Sequence, residues 1–436
     1  LQPLDIKVRN FIMVFMPNWP KPLGSKPINF GLERVLELLK RLGNPHLNLP
    51  PIVHFAGTNG KGSSIAFTKA ILEAAGYKVH TYTSPHLINF NERINLAGYD
   101  ISEEMLNQIS DECRIAAADM TVTFFEGTTA MAFTAFTKVH ADIILLETGM
   151  GGRLDATNVI DKPLCTVITP ISIDHTEYLG PNVTIIAGEK VGILKRNTPC
   201  VSSMQFEEVN TVIEKKAEEL KAPLFSFGYD WIVEKISNGM IYKSKLGNLQ
   251  LPFPSLLGDH QLINAGTAIS TVKNLSGYKV SDDAYQKGIT SAKWAARMQP
   301  ITYGKLLNLL PENWEIWIDG AHNSAGANVV SCIIDEWTDK PTYLICGFTK
   351  GRNAEELLGF FYGKVEFVCG VLVETEPSAH LAQHIAEAAK SVGIQSKAFD
   401  TIEDAIKFLP TINNSPARVL FCGSLYLASD ALKANL

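Results

Sequence analysis

The chain has 436 residues, 46% of them hydrophobic and 19% charged, with 32 Gly and 22 Pro. That is globular composition, long enough for two large domains or about three ordinary ones, and it excludes disordered, collagen-like and coiled-coil chains. Net charge is −6; residues after Arg297 hold 10 Lys/Arg against 16 Asp/Glu and the earlier part balances, so neither part has the basic excess of a nucleic-acid surface.

Lys7, Arg9 and the run Phe11–Met16 have the outline of a signal sequence. The apolar stretch is short, however, and Pro17-Asn18-Trp19-Pro20 follows without a small-residue cleavage site. No apolar run reaches the roughly 18–20 residues that span a bilayer. Seven scattered cysteines without a CxxC point to reduced thiols. The expectation is a soluble, cytoplasmic protein with neither membrane nor nucleic acid as a partner.

Pro17, Pro20, Pro22 and Pro27 predict an extended lead-in arm. Asn29 is then a candidate cap for the helical pattern through Leu39. Ile52–Ala56 reads as a strand, followed by a Gly-rich turn, a helix over Ser64–Ala75 closed by Gly76, and a strand over Lys78–Tyr82. Asp142–Leu146 and Cys165–Thr169 are further buried-strand patterns, each followed by a polar, Gly-containing loop. This alternation predicts a mostly parallel α/β sheet with its site at the carboxyl ends of the strands. Tyr229–Pro254 alternates like an antiparallel meander. A second α/β set follows, with strands Glu315–Ile318, Thr342–Cys346, Val365–Val373 and Val419–Cys422 and helices Ser324–Trp337 and His380–Ser391. The join falls near Trp294–Met298.

The polar motifs sit after these strands. Gly57-Thr58-Asn59-Gly60-Lys61-Gly62-Ser63 can curl backbone N–H groups around phosphate oxygens, with Lys61 as a point charge and Ser63 within reach of Mg²⁺. Gly62, between Lys61 and Ser63, departs from the usual P-loop pattern. Thr83-Ser84-Pro85-His86 is a Pro turn with a capping serine unless Ser84 serves a ligand. Glu147 at a buried strand tip suits a Mg²⁺ ligand; the bland alternative is a loop carboxylate paired with Arg153. Asp174-His175 tops a third strand, open to a metal or phosphate role. Lys190, on a helix, is by default a solvated surface charge. Asp319 after a strand suits ribose hydroxyls, and Arg297 at the join suits a phosphate clamp.

In this order and spacing, from about Gly31 to Tyr426, the motifs resemble the folylpolyglutamate synthase/dihydrofolate synthase family, relatives of the Mur peptide ligases. The resemblance implies a P-loop NTPase-like, mostly parallel sheet domain over 1–296 and a smaller Rossmann-like α/β domain over 297–436, with ATP and substrates between them. Asn59, Gly60, Lys61 and Gly62 match the ATP phosphate loop, and Ser84, Glu147 and His175 the magnesium ligands. Lys190 matches a lysine that is often carbamylated. Asn264, Arg297 and Asp319 match residues reaching ATP from the other side. Phe125, Glu126 and Thr128 resemble the segment lining the pterin side, and Leu154, Asp155 and Ala156 fall in the matching loop. His322, in a DGAHN-like motif, is implied near the reacting phosphate or incoming glutamate. Where the family has Trp-Pro-Gly-Arg or similar, this chain has Trp294-Ala295-Ala296-Arg297. The segment before Gly31 also lacks the amphipathic helix expected there.

The activity implied is an ATP- and Mg²⁺-dependent ligase that activates a carboxylate as an acyl phosphate and joins it to L-glutamate. Its acceptors would be dihydropteroate and tetrahydrofolate with its polyglutamates, the alternative being polyglutamylation only. Monomer is the family default. A Mur-type ligase would need a uridine-binding domain before Gly57, for which 56 residues are too few. A nucleotide-driven switch or transporter ATPase would turn over ATP without regard to folates or glutamate.

Overall fold

The structure, a computed structural model, describes residues 16–20 and 31–436. The signal-like stretch up to Phe15, the Pro22–Pro27 part of the lead-in arm and the Asn29 cap lie outside the described residues. The first described helix, Glu33–Arg41, follows Leu32 and buries Val35, Leu38 and Leu39.

Eight strands make the first sheet: β1 (Ile52–Ala56), β2 (Val79–Tyr82), β3 (Ile94–Leu96), β4 (Tyr99–Asp100), β5 (Ile143–Glu147), β6 (Cys165–Ile168), β7 (Cys200–Ser202) and β8 (Leu224–Ser226). Their order is β4-β3-β2-β5-β1-β6-β7-β8. All neighbours from β2 to β8 run parallel, and β3 and β4 add an antiparallel edge. β1 is central and buried along its whole length, as its near-continuous apolar run requires of a strand covered on both faces. The register pairs Phe55 with Glu147 on one side and with Val167 on the other. The loops leaving β1, β5 and β6 therefore emerge side by side.

One face of this sheet is covered by the helices Lys61–Ala74, Asp259–Lys273 and Asp282–Ser291. The meander expected over Tyr229–Pro254 is a three-stranded antiparallel sheet, β9 (Trp231–Ile236), β10 (Gly239–Ser244) and β11 (Leu249–Leu251). Trp231, Met240, Tyr242, Leu249 and Leu251 join the same core as those helices. The other face is covered by the helices Glu103–Ala117 and Phe124–Lys138.

The second sheet holds β12 (Gln299–Ile301), β13 (Glu315–Ile318), β14 (Thr342–Cys346), β15 (Phe367–Val371), β16 (Ser396–Phe399) and β17 (Arg418–Cys422). Its order is β12-β13-β17-β14-β15-β16, with only β12 antiparallel. Between the sheets, Trp294 packs on the first core, while Ala296 and Met298 enter the second. The chain turns sharply there, with φ of 53° at Ala296 and 41° at Met298. All seven cysteines are free thiols; six are buried and Cys332 is exposed. Among the described residues, no helix is long and apolar enough to cross a membrane.

Candidate active site between the two sheets

The loop from Gly57 to Ser63 joins β1 to the helix beginning at Lys61, so the helix N-terminus and its free N–H groups face the loop. Gly60 has φ of 82°, and a side chain there would strike the Asn264 carboxamide. A Cβ on Gly62 would lie 2.5 Å from the Trp294 indole. The loop is thus closed in by two residues from much later in the chain. Lys61 Nζ donates to the carbonyls of Gly57 (3.1 Å) and Thr58 (3.4 Å) and lies 3.8 Å from Glu147 Oε1.

Glu147, the last residue of β5, is buried, and its Oε2 accepts the Ser84 N–H at 3.0 Å. Burial pushes its pKa up, against the pull of Lys61 and the Ser84 N–H. Arg153 does not hold it; that guanidinium pairs with Glu189 at 2.9 Å. The backbone of Ser84 thus fixes a buried carboxylate. His175 takes a left-handed conformation (φ 51°) at the start of the short helix Thr176–Leu179.

Among the described residues, no three His, Cys, Asp or Glu side chains gather as a metal cluster. Ser84, Glu147 and His175 offer a hydroxyl, a carboxylate and an imidazole. Glu147 is the test of fit: among the described residues its buried carboxylate has one ion pair, to Lys61 at 3.8 Å, with Arg297 and Arg93 acting from farther off. A hard carboxylate oxygen of this kind suits Mg²⁺ or Mn²⁺.

Lys190 overturns the expectation of a surface charge. It ends the helix Val183–Lys190 pointing inward, is 4% exposed, and donates from Nζ to the Gly57 carbonyl at 2.8 Å. Burial, reinforced by nearby Lys61, lowers its pKa from 10.5 to about 7.

From the other side, Asn264 donates to Gln261 Oε1 at 2.9 Å. Asp319 follows β13 and is buried; its two oxygens accept the N–H groups of Met298 and Ala321, each at 2.8 Å. Arg297 Nη1 donates to the Ala296 carbonyl at 2.8 Å. Asp319 therefore shapes the sharp turn that presents Arg297.

Phe125 lies against Gly149, where a Cβ would be 2.5 Å from its ring. Glu126 pairs with Arg34 at 2.8 Å and accepts the Thr123 N–H, while Thr128 shares a hydrogen bond with the Tyr82 hydroxyl at 2.9 Å. Asp155 accepts the N–H groups of Gly149 and Met150, both at 2.9 Å, and so fixes the loop that follows Glu147. Leu154 is half-buried and Ala156 buried beside it.

The sequence singles out Asp174 and His322 separately but carries no sign that they meet, nor that Arg352 joins them. The Asp174 carboxylate meets Arg352 and the Asn323 amide (3.0 Å) and lies 3.7 Å from His322 Nε2. Asn323 also donates to Asn59 Oδ1 in the phosphate loop at 3.1 Å. Burial opposes the charge on Asp174, yet His322, His175 and Arg352 hold its pKa well below the carboxylate range. The available signal was position: Arg352 sits in the loop leaving the carboxyl end of β14.

A B. subtilis protein described as dihydrofolate synthase/folylpolyglutamate synthase is 34% identical over 94% of this chain and 95% of its own. The chain belongs to this family. The family model "Dihydrofolate synthetase, C-terminal domain" also matches residues 304–434. E. coli FolC in complex with DHPP and ADP superposes with a TM-score of 0.84 at 30% identity, covering 94% of each chain. A bifunctional folylpolyglutamate synthase/dihydrofolate synthase with Mn, AMPPNP and L-glutamate bound has a TM-score of 0.82 at 27% identity, covering 94% of this chain and 95% of that one. The two-sheet α/β architecture is thus the family's.

Proposed function

We propose that this chain is a bifunctional, ATP-dependent carbon–nitrogen ligase. It joins L-glutamate to dihydropteroate, giving dihydrofolate, and to tetrahydrofolate, giving its polyglutamates. The observation that carries the reading is the Gly57–Ser63 loop, whose Lys61 ammonium faces buried Glu147 while Asn323 reaches Asn59 from the second unit. The nucleotide, DHPP, Mn and L-glutamate bound by the relatives named above support it.

An acceptor carboxylate repels an amine by its charge. Transfer of the γ-phosphoryl group of ATP to a carboxylate oxygen gives an acyl phosphate and ADP. The amine of L-glutamate then attacks the acyl carbon, the C–N bond forms, the C–O bond to phosphate breaks, and the amine proton leaves with phosphate and solvent. Asn59, Gly60, Lys61 and Gly62 would hold the phosphates, with the Lys61 charge and the helix N-terminus aimed at the transferring group. Ser84, Glu147 and His175 would hold Mg²⁺, which when bound neutralises phosphoryl oxygen charge. Asn264, on the helix Asp259–Lys273 of the first unit, would reach the nucleotide from the side opposite the phosphate loop, together with Arg297 and Asp319 of the second unit. Phe125, Glu126, Thr128, Leu154, Asp155 and Ala156 would form the pterin side, with Glu126 and Asp155 acting through the backbone they fix. His322 would stand beside the reacting phosphate or the incoming glutamate. Apposition of a unit over 1–296 with one over 297–436 would exclude water, which otherwise hydrolyses the intermediate. A cytoplasmic monomer suffices for this chemistry.

The test is phosphate release from ATP with Mg²⁺ and L-glutamate, run separately with dihydropteroate and tetrahydrofolate, with mass spectrometry of the products. Glutamyl adducts from both acceptors support the reading. An adduct from tetrahydrofolate alone reduces it to polyglutamylation. ATP turnover that ignores both acceptors overturns it.

A further inference from the structure

Asp174 lies in the loop after β6, on the first sheet, yet its partners Arg352, Asn323 and His322 belong to the second. Arg352 comes from the loop after β14, and Asn323 caps the helix Ser324–Glu336 through Gly326 N–H at 2.9 Å. One carboxylate therefore ties two separate segments of the second unit to the first. The tie is well formed. Asp174 is 5% exposed and the Arg352 side chain 20%, so the charges meet largely out of water, where an ion pair with further hydrogen bonds is strong and specific in geometry.

Arg352 is itself held in place. Its carbonyl accepts from His380 at 3.2 Å, its N–H donates to Thr349, and Lys350 N–H donates to Ser378 at 2.7 Å. The guanidinium thus projects from a loop pinned to the neighbouring segment. On the first unit, Asp174 Oδ1 also accepts the His175 N–H at 2.7 Å, so the carboxylate that Arg352 grips sets the backbone of His175. Through Asn323 the same cluster reaches Asn59. The connection between the units lies elsewhere, at Trp294–Met298, and a further contact joins Ser429 to the Leu87 carbonyl.

We propose that Arg352 is a positioning residue for the ligase reaction. By binding Asp174 across the cleft it locks the second unit onto the nucleotide loop and the His175 side of the site while the acyl phosphate awaits its amine. The idea rests on the ligase reading. Its consequence is coupling: with the lock intact, each ATP consumed yields one glutamyl bond; without it, the cleft opens early and water takes the intermediate.

The experiment compares the wild-type protein with Arg352→Ala and Arg352→Lys, measuring phosphate released and glutamyl product formed in the same reactions, with KM for ATP and thermal midpoints. For Arg352→Ala, product formation falls about tenfold or more, as for remote misplacement of a reacting group, while KM for ATP changes little. Phosphate released per product rises above the wild-type ratio. Arg352→Lys, which keeps the charge but loses the fork, recovers part of the coupling. A folded Arg352→Ala protein with wild-type coupling and product rate overturns the proposal, as does an Arg352→Lys protein no better than Arg352→Ala. A wild-type protein that makes no glutamyl product fails the ligase reading instead, and the two failures are separate.

Discussion

Lys190 Nζ donates to the Gly57 carbonyl at 2.8 Å, so a lysine from the far side of the sheet is bonded to the first residue of the nucleotide loop. Two ammonium groups, those of Lys61 and Lys190, converge on that one carbonyl. Their mutual repulsion adds to burial in lowering the Lys190 pKa to about 7. At neutral pH this lysine is therefore neutral in a substantial fraction of molecules, and the neutral amine is the form that reacts with carbon dioxide.

Lys190 is expected to form a carbamate in bicarbonate buffer. The carbamate signal should grow as pH rises through about 7, where the amine loses its proton, far below the ordinary 10.5. Carbon-13 NMR with labelled bicarbonate reads it directly, with Lys190→Arg as the blank. A spectrum at pH 8 that is the same for both proteins would count against it.

Replacing Lys61 with Met removes the charge nearest Glu147 and the donor aimed at the phosphates. Turnover should fall by about 100-fold or more, as when one preorganised donor to a developing charge is lost. Steady-state phosphate release measures the effect, and a loss of only two- or threefold would show that Lys61 is not at the transferring group.

Gly62 is dictated by Trp294. Gly62→Ala places a methyl against the indole and should cost about 1–3 kcal/mol through overpacking. The clash disappears with the ring, so the double variant with Trp294→Ala should bind ADP better than Gly62→Ala alone. Calorimetric titration of ADP into the four proteins of the cycle gives the coupling; strictly additive losses would refute the contact.

His54 is buried and His86 and His260 are half-buried; desolvation, with help from Arg93 at His86 and Arg297 at His260, lowers their pKa values from 6.5 to about 3, about 3 and about 4. Between those values and 6.5 the unfolded chain binds protons that the folded chain refuses. The contribution of these histidines should accordingly be constant above pH 6.5 and be lost as pH drops towards 4, while Lys190, lowered to about 7, adds a separate rise in stability above pH 7. Urea midpoints across that range test it. His54→Gln, which keeps a polar atom for Thr157, should flatten part of the slope.

The elements and residues legible in the sequence share a local signature. β1, β5 and β6 are short apolar runs ending in polar loops, and the structure finds each within a residue of its expected bounds. β12 and β16 carry no such run: they are sheet-edge strands with half-exposed residues, and only tertiary pairing makes them strands. Lys190 illustrates the harder case. Nothing around Gly188–Gly192 marks it as buried, because Gly57, Gly152 and Lys61 supply its surroundings from far along the chain. Arg352 was missed for the same reason: its partner lies 178 residues away on another sheet. Spacing reveals which loops top the strands; which side chains then meet across the cleft is decided by docking of the two sheets.

The uneven burial of the thiols makes the docking of the two units observable. Cys332 is the only exposed cysteine of the seven, and it rides on the helix Ser324–Glu336, whose cap Asn323 belongs to the Asp174 cluster. A maleimide dye would report from that helix in the unaltered protein, with no native cysteine to engineer away. Paired with a second label on the first unit, it would follow the cleft opening and shutting in real time.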